Sequence, residues 1–417
     1  MRGSGYELFA QRQFRDLWGA NLIFNLCLVM LMLGVSWTMT SLTDSPLLVS
    51  MVQTVMSLPF IIFSIPVGIA SDALGHRTLL LAAQVWMLAV TGLMGVIALY
   101  GGLEFTPLLL LSTMFLFGVG VVVQQAAWKP FLQDMVAKDN LIAAISFNSL
   151  SSDLGRAAGP VLGGYLMGYF GTAVVLFTSA VSQLVMILTL KTVPKLGVPV
   201  GGADSDSDDG CAVTPTQSLR EGWAYLRRSP QLHGPMIRCA LLMAPCGGVL
   251  GLLPLEAKEN IQTGPIGYGG LLAALGIGTA AGGALMPILR RRFRFGALST
   301  VPVAVFSLAV IGISQWDSML FDATFLLFLG LSWSMVSITN QFAVQIATPE
   351  PLRGLMTSFY ALVLQGSMAL GSFGFGLIAH QTGVSRSILL AGLVAITGLL
   401  LVRRYPMSET VAAGSAA

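Results

Sequence analysis

The chain has 417 residues, of which 55% are hydrophobic and 10% charged, with a formal net charge of +3 and a mean hydropathy of +0.79. Soluble domains carry about 25% charged residues, so this chain cannot cover an ordinary water-facing surface, and its small net charge gives no footing for nucleic-acid binding. Cys27, Cys211, Cys239 and Cys246 have no paired spacing and His76, His233 and His380 lie far apart, which leaves no basis for a metal centre or a disulfide framework.

A membrane-spanning helix needs about 20 apolar residues. In chain order such runs are predicted at 17–40, 47–70, 78–100, 107–128, 141–168, 172–190, 234–255, 267–289, 297–314, 320–346, 354–380 and 386–402. The first run is too long for a cleavable signal and is followed at once by a second, so it is read as the first helix. Lys and Arg gather on one side of the arrangement, from Arg12 and Arg15 through Lys129, Lys191 and Arg290 to Arg403, while the other side holds only Lys258 and Arg386. Cytoplasmic loops retain such an excess, and an even number of spans then puts both termini in the cytoplasm.

Helix one carries Asn21, Asn25 and Trp37, helix two Gln53, helix four Gln124 and Gln125, and helix five Asn148. Polar side chains avoid lipid. Each therefore faces protein or a water-filled cavity, and both interhelical hydrogen bonding and a place on a cavity wall stay open for it. Helix five also holds Asp153 and Arg156, three residues apart and on neighbouring faces of one turn. Each costs roughly 2.5–3.5 kcal/mol at the membrane centre. Either they neutralise each other as a structural pair, or they face a central cavity in which Arg156 attracts an anionic substrate and Asp153 exchanges a proton. The small residues Gly155, Gly159, Gly163, Gly164 and Gly168 line the same helix and let another backbone approach closely, and Pro160 removes one backbone donor there. Tight packing alone and a bent, moving helix both fit this pattern.

The longest polar interruption, 191–230, contains Asp204-Ser205-Asp206-Ser207-Asp208-Asp209-Gly210, which cannot bury enough apolar surface to fold alone. It is read as a cytoplasmic linker between residues 1–190 and 231–417, ending in a short surface helix that places Leu219, Trp223 and Leu226 at helical spacing. The flanking halves are related at a constant offset of 212 residues. Ser146-Phe147 meets Ser358-Phe359, Gly159 meets Gly371, Gly164 meets Gly376, Gly171 meets Gly383 and Gly118 meets Gly330. In the second half Trp333, Asn340, Gln341 and Gln345 lie in helix ten, and Gln365 in helix eleven stands opposite Asp153 in the repeat. Arg238 and Glu256 sit near the two ends of helix seven, where both can snorkel to an interface, and they stay as reserve candidates for the cavity. Helix eleven is expected to begin at Thr348-Pro349-Glu350, a capping residue followed by proline.

Gly155-Arg-Ala-Ala-Gly159-Pro160-Val-Leu-Gly163-Gly164 resembles the fifth-helix motif of exporter branches of the major facilitator superfamily. Gly68-Ile-Ala-Ser-Asp72-Ala-Leu-Gly75-His76-Arg77 resembles the superfamily's cytoplasmic loop motif, with Ala73 where that motif usually carries Arg and His76 at another commonly basic position. Phe14-Arg15-Asp16-Leu17-Trp18, Ser45-Pro46-Leu47, Leu58-Pro59-Phe60 and Leu253-Pro254-Leu255 extend the similarity along the chain to the branch of enterobactin exporters and macrolide efflux proteins.

The resemblance implies an all-α membrane protein with twelve transmembrane helices in two six-helix pseudo-symmetric bundles. It also implies a cytoplasmic gate built on Gly68, Asp72, Gly75 and Arg77, with Asp72 close to the start of helix eleven, where a carboxylate gains ~0.3–1 kcal/mol from the helix terminus. The cavity candidates are Asp153, Arg156, Asn148, Asn25, Trp37, Gln124, Trp333, Gln341 and Gln365. The expected function is export of a small organic molecule, siderophore-like or drug-like, by alternating access with proton antiport, although helix four lacks the arginine that proton-coupled drug antiporters carry before Gly118-Val119-Gly120. A nutrient importer or facilitator and a non-transporting membrane sensor are the other readings. Without GxxxxGK[ST], G-x-S-x-G or H-E-x-x-H the chain has no enzymatic motif. The expected setting is a monomer in the bacterial inner membrane, with a small-molecule substrate, protons and lipid as partners and neither cofactor, metal nor nucleic acid.

Overall fold

The computed structural model describes residues 8–99, 106–137, 140–193, 223–293, 295–349 and 352–402, and at a few helical positions, Asp72 among them, the backbone alone. Twelve α-helices take up the predicted runs: α1 (Arg12–Leu42), α2 (Pro46–Leu74), α3 (His76–Leu99), α4 (Pro107–Met135), α5 (Leu141–Phe170), α6 (Thr172–Thr192), α7 (Pro230–Leu255), α8 (Pro265–Arg292), α9 (Phe295–Ile313), α10 (Met319–Ile346), α11 (Arg353–Thr382) and α12 (Val384–Val402). A single π turn, Glu256–Asn260, prolongs α7.

Local chemistry sets the bounds. Proline stands in the first turn of α2, α4, α7 and α8, where its fixed φ suits the helix and its missing N–H is not needed. Thr106 caps α4, its hydroxyl accepting from the Leu109 N–H at 3.2 Å. One residue joins α5 to α6 and one joins α11 to α12, and these are Gly171 at φ 81° and Gly383 at φ 93°, the left-handed region that glycine enters without a Cβ penalty. Helix eleven starts later than expected. The Thr348 hydroxyl donates back to the Val344 carbonyl at 2.6 Å and so closes α10 instead of capping α11; residues 350–351 and the Asp72 side chain lie outside the described residues, as do 194–222 of the linker and Cys211. Cys27, Cys239 and Cys246 are buried free thiols.

Among the described residues, nine helices are long and apolar enough to cross a membrane, and α9 and α12 hold shorter apolar stretches. The helix outside both sets is α5, whose apolar window is diluted by Asn148, Ser149, Ser151, Ser152, Asp153 and Arg156. Large apolar side chains such as Leu108, Leu320 and Leu370 stand 73–75% exposed on the bundle's outside, a surface that lipid covers and water would not tolerate.

The duplication is written into the helix bounds. Leu141 and Phe170 bound α5, and Arg353 and Thr382, each 212 residues on, bound α11; Met319 opens α10 212 residues after Pro107 opens α4. The packing repeats likewise. α1 packs on α5 and α6 as α7 packs on α11 and α12, and the two halves meet through α5 on α8 and α2 on α11, pairs that the repeat interchanges.

These contacts seal the far end, opposite the start of α1. Thr54 donates to the Ala369 carbonyl at 3.2 Å and Ser372 to the Ser50 carbonyl at 2.7 Å, while Trp37 stacks on Tyr268 with ring centroids 5.7 Å apart. Lys258 of the π turn donates to the Thr40 carbonyl and lies 3.7 Å from Asp44. Glycines make the crossing possible: a Cβ on Gly164 would meet the Pro265 carbonyl oxygen at 2.6 Å, and one on Gly269 would collide with the Pro160 carbonyl.

Candidate functional site

Toward the near end, from which α1 starts, the halves part around a cavity of about 630 Å³. α1, α2, α4 and α5 supply nearly all of its wall, and α11 adds Gln365. Amides dominate the polar lining: Asn21, Asn25, Gln53, Gln124, Gln125 and Asn148, together with Gln365. Phe24, Phe60 and Trp128 supply aromatic surface, and the two charged lining side chains, Lys129 and Arg156, are both cations.

A hydrogen-bond network fixes the wall. Asn148 Oδ1 accepts from Trp128 Nε1 at 2.7 Å and from Asn21 Nδ2 at 3.3 Å. Ser151 Oγ accepts from Asn21 and Asn25 at 3.2 Å each, and Asn25 also donates to the Asn21 carbonyl at 2.8 Å. Gln124 accepts from Gln84 of α3 at 2.8 Å. In a low-dielectric interior such bonds lock α1, α4 and α5 together. The backbone can come this close because α5 offers glycine: a Cβ on Gly155 would lie 2.9 Å from Asn25 Cβ, one on Gly159 2.9 Å from the Leu26 carbonyl oxygen, and one on Gly163 3.0 Å from Met30 Cα. Gly164 and Gly168 point instead at Pro265 and Ile266 of α8. One stripe of small residues thus serves two neighbours, one in each half.

Arg156 Nη2 meets Asp153 Oδ1 at 3.2 Å, with side chains 50% and 37% exposed. An ion pair so exposed contributes about 0–1 kcal/mol, so a competing anion of good geometry can take the guanidinium over. Arg156 lines the cavity, whereas Asp153, expected there with it, is not a lining residue and touches the site through this ion pair.

The sequence pattern of the family described as transmembrane secretion effector matches residues 3–417. The chain belongs to the major facilitator superfamily, in that family. Over 388 residues this transporter is 18% identical to macrolide efflux protein A of Streptococcus pyogenes, a match covering 92% of this chain and 93% of that protein. It is 28% identical over 270 residues to the enterobactin exporter EntS of Salmonella typhi, covering 64% and 62%. Among solved structures, the nucleoside transporter NupG matches with a TM-score of 0.76 at 10% identity, over 95% of this chain and 99% of that one. A bacterial homolog of the human lysosomal transporter Spinster matches at 0.72 and 13% identity, over 94% and 97%. Likeness at such identity shows the fold. Family and fold are those of transporters and not of enzymes.

Within this major facilitator transporter the sequence-predicted residues scatter. Asn148, Asn25, Gln124, Arg156 and Gln365 share the cavity wall. Trp37, Trp333 and Gln341 lie outside it: Trp37 belongs to the far-end seal, Trp333 packs against the hydrophobic core, and α10 contributes no side chain to this wall. In the loop motif, Gly75 ends α2 at φ 80°, and Arg77 donates to the carbonyls of Leu190 at 3.0 Å and Lys191 at 3.4 Å, capping the end of α6. His76 Nδ1 meets Asp134 Oδ2 at 2.7 Å and ties α3 to α4. Among the described residues, a Cβ added at Gly68 meets nothing within 4 Å beyond its chain neighbours and its own helix backbone. The aromatic lining residues Phe24, Phe60 and Trp128 were not among the sequence candidates, and Lys129 was read only as a cytoplasmic-side cation, because the apolar run ends at 128 while α4 continues to Met135.

Proposed function

We propose that this transporter exports a small organic anion from the cytoplasm by alternating access, in exchange for protons. The observation that carries the reading is the cavity: about 630 Å³, within the ordinary range for small-ligand sites, lined by amides and aromatics, with Lys129 and Arg156 as its charged side chains. Two cations in a low-dielectric cleft focus a positive potential. A catecholate or carboxylate siderophore-like molecule matches that field better than a cationic drug.

The Lys- and Arg-rich near end faces the cytoplasm, so the structure corresponds to the inward-open state. The family description and the efflux and exporter names of the relatives support export. Residues 1–190 and 231–417 act as the two rocking bundles, with 191–230 as their linker and the Gly68–Arg77 loop as the cytoplasmic latch of the opposite state. One chain holds the whole cavity, which supports a monomeric unit in a bacterial inner membrane. When the cavity is empty Asp153 neutralises Arg156, and substrate displaces it.

The test is accumulation of a labelled catecholate siderophore in inside-out vesicles with an acid interior. Wild type is expected to accumulate it and to dissipate the pH gradient as it does so. Arg156→Gln is expected to raise the half-saturating concentration roughly 10- to 100-fold, the loss of one charge-assisted hydrogen bond of about 1.5–3 kcal/mol. Accumulation of a cationic macrolide in preference to the anion contradicts the substrate class, and accumulation without proton movement contradicts antiport.

A further inference from the structure

Two carboxyl groups are completely buried at the sealed far end, away from the cavity mouth. Glu256 opens the π turn after α7, Asp322 lies in the first turn of α10, and both are 0% exposed. Neither carboxyl oxygen of Asp322 has a hydrogen-bond partner among the described residues, nor does Oε1 of Glu256. Glu256 Oε2 accepts from Asn260 Nδ2 at 2.7 Å, and the same amide donates to Ser385 of α12 at 2.8 Å.

Among the described residues, the charged groups at this end are Asp317 before α10, Lys258 and Glu259 in the π turn, Asp44 at the α1–α2 junction, His380 ending α11 and Arg386 opening α12. Those that act on Glu256 are Asp317 and Glu259, and those that act on Asp322 are Glu256 and Asp317. All are negative. The start of α10 favours a negative charge by only about 0.3–1 kcal/mol, well below the several kcal/mol that burying an unpaired ion costs. A proton bound to each carboxyl removes that cost outright, which makes the proton the simplest ligand for the pair.

We infer that Glu256 and Asp322 form a proton-operated latch whose protonation from the far side holds the far end shut. The inference rests on the proton-coupled reading above. With the far end open, each carboxylate takes one proton from far-side water and becomes a neutral acid that the closed, dry site accepts. Loss of those protons leaves two like charges side by side, and water must enter to solvate them. The π turn transmits the change. It carries Glu256 and Asn260 together with Lys258, whose ammonium reaches across to Thr40 and Asp44 of the other half. Single π turns inside helices recur at functional sites.

Spin labels on cysteines replacing Ser41 and Gln315, with the native cysteines changed to serine, report the far-end opening by pulsed electron–electron distance measurement in lipid nanodiscs. Between about pH 5 and about pH 8 the ratio of open to closed distances in the parent is expected to rise, by up to roughly tenfold per pH unit for each proton bound only by the closed state. The double variant Glu256→Gln, Asp322→Asn is expected to stay closed throughout, with less than a twofold change; should it not elute as a monodisperse species, the two single variants are measured, each with a shallower pH response than the parent. A pH-independent distance in the parent, or an undiminished response in the variants, overturns the latch. Substrate-driven proton flux in vesicles separates this from the antiport reading. If opening responds to pH through these residues but no substrate-linked flux exists, the latch stands and antiport falls. If flux persists unchanged in the double variant, antiport stands and the latch is overturned.

Discussion

Asn148 is the residue on which the cavity wall turns, because a single amide oxygen satisfies Trp128 from α4 and Asn21 from α1. Asn148→Leu leaves the Trp128 indole N–H without this acceptor and Asn21 Nδ2 with Ser151 alone, and is expected to cost about 1–3 kcal/mol, read as a lowered unfolding temperature in detergent. Asn148→Asp keeps the acceptor and is expected to lose less. That Asn148, Asn25 and Gln124 avoid lipid was legible in the sequence, since polar groups in a spanning run must face protein or water. Which protein-facing side they occupy was not: Trp333 and Gln341 satisfy the same rule and lie elsewhere, because the packing of α8 and α9 on α10 decides their surroundings. Asp322 was illegible for a related reason. It stands at the edge of an apolar run, where an acid reads as interfacial, and its complete burial comes from packing by elements distant in the chain.

At the scale of the element, α5 shows how one glycine stripe positions two partners. Gly164→Val sets a branched side chain against the Pro265 carbonyl of α8, only 2.6 Å from where its Cβ would stand. It is expected to destabilise the far-end-closed state by about 1–3 kcal/mol, and in the spin-label measurement to shift the population toward the open distance at every pH. Gly155→Val strikes Asn25 inside the first half instead, and is expected to lower the unfolding temperature without that shift. Among the described residues, Gly68→Ala meets nothing within 4 Å beyond its chain neighbours and its own helix backbone, and alanine is the better helix former by about 1 kcal/mol. Its unfolding temperature is expected to be unchanged or raised, so a loss of transport there would assign Gly68 to the outward-facing state. The four-residue spacing of these glycines announced close packing. It could not announce that the stripe divides between α1 and α8, because that depends on the crossing of helices from the two halves. The extension of α2 to Leu74 and of α4 to Met135, past apolar runs ending at 70 and 128, was hidden too, since hydropathy marks the bilayer while backbone hydrogen bonds carry a helix past it.

For the whole molecule, the constant 212-residue offset seen in the sequence reappears as matching bounds of α5 and α11 and as the interchange of the α2–α11 and α5–α8 contacts. A pseudo-symmetric pair of bundles has two ways to close, at one end or the other, and the present structure closes the far end around Trp37, Tyr268 and Lys258. The cavity is built mostly from the first half, whereas the sequence candidates drew Trp333 and Gln341 of the second half into its wall as well. Alternating access with the cavity now facing the cytoplasm is the central claim, and accessibility of one cavity position tests it most directly. Ser152→Cys places a thiol on the wall in a background in which Cys211 is serine and Cys27, Cys239 and Cys246 stay buried. A membrane-impermeant maleimide is expected to label it rapidly from the cytoplasmic face in inside-out vesicles and slowly from the outer face of intact cells, with substrate slowing the cytoplasmic reaction. Labelling from the outer face alone, or from neither face, would contradict the account.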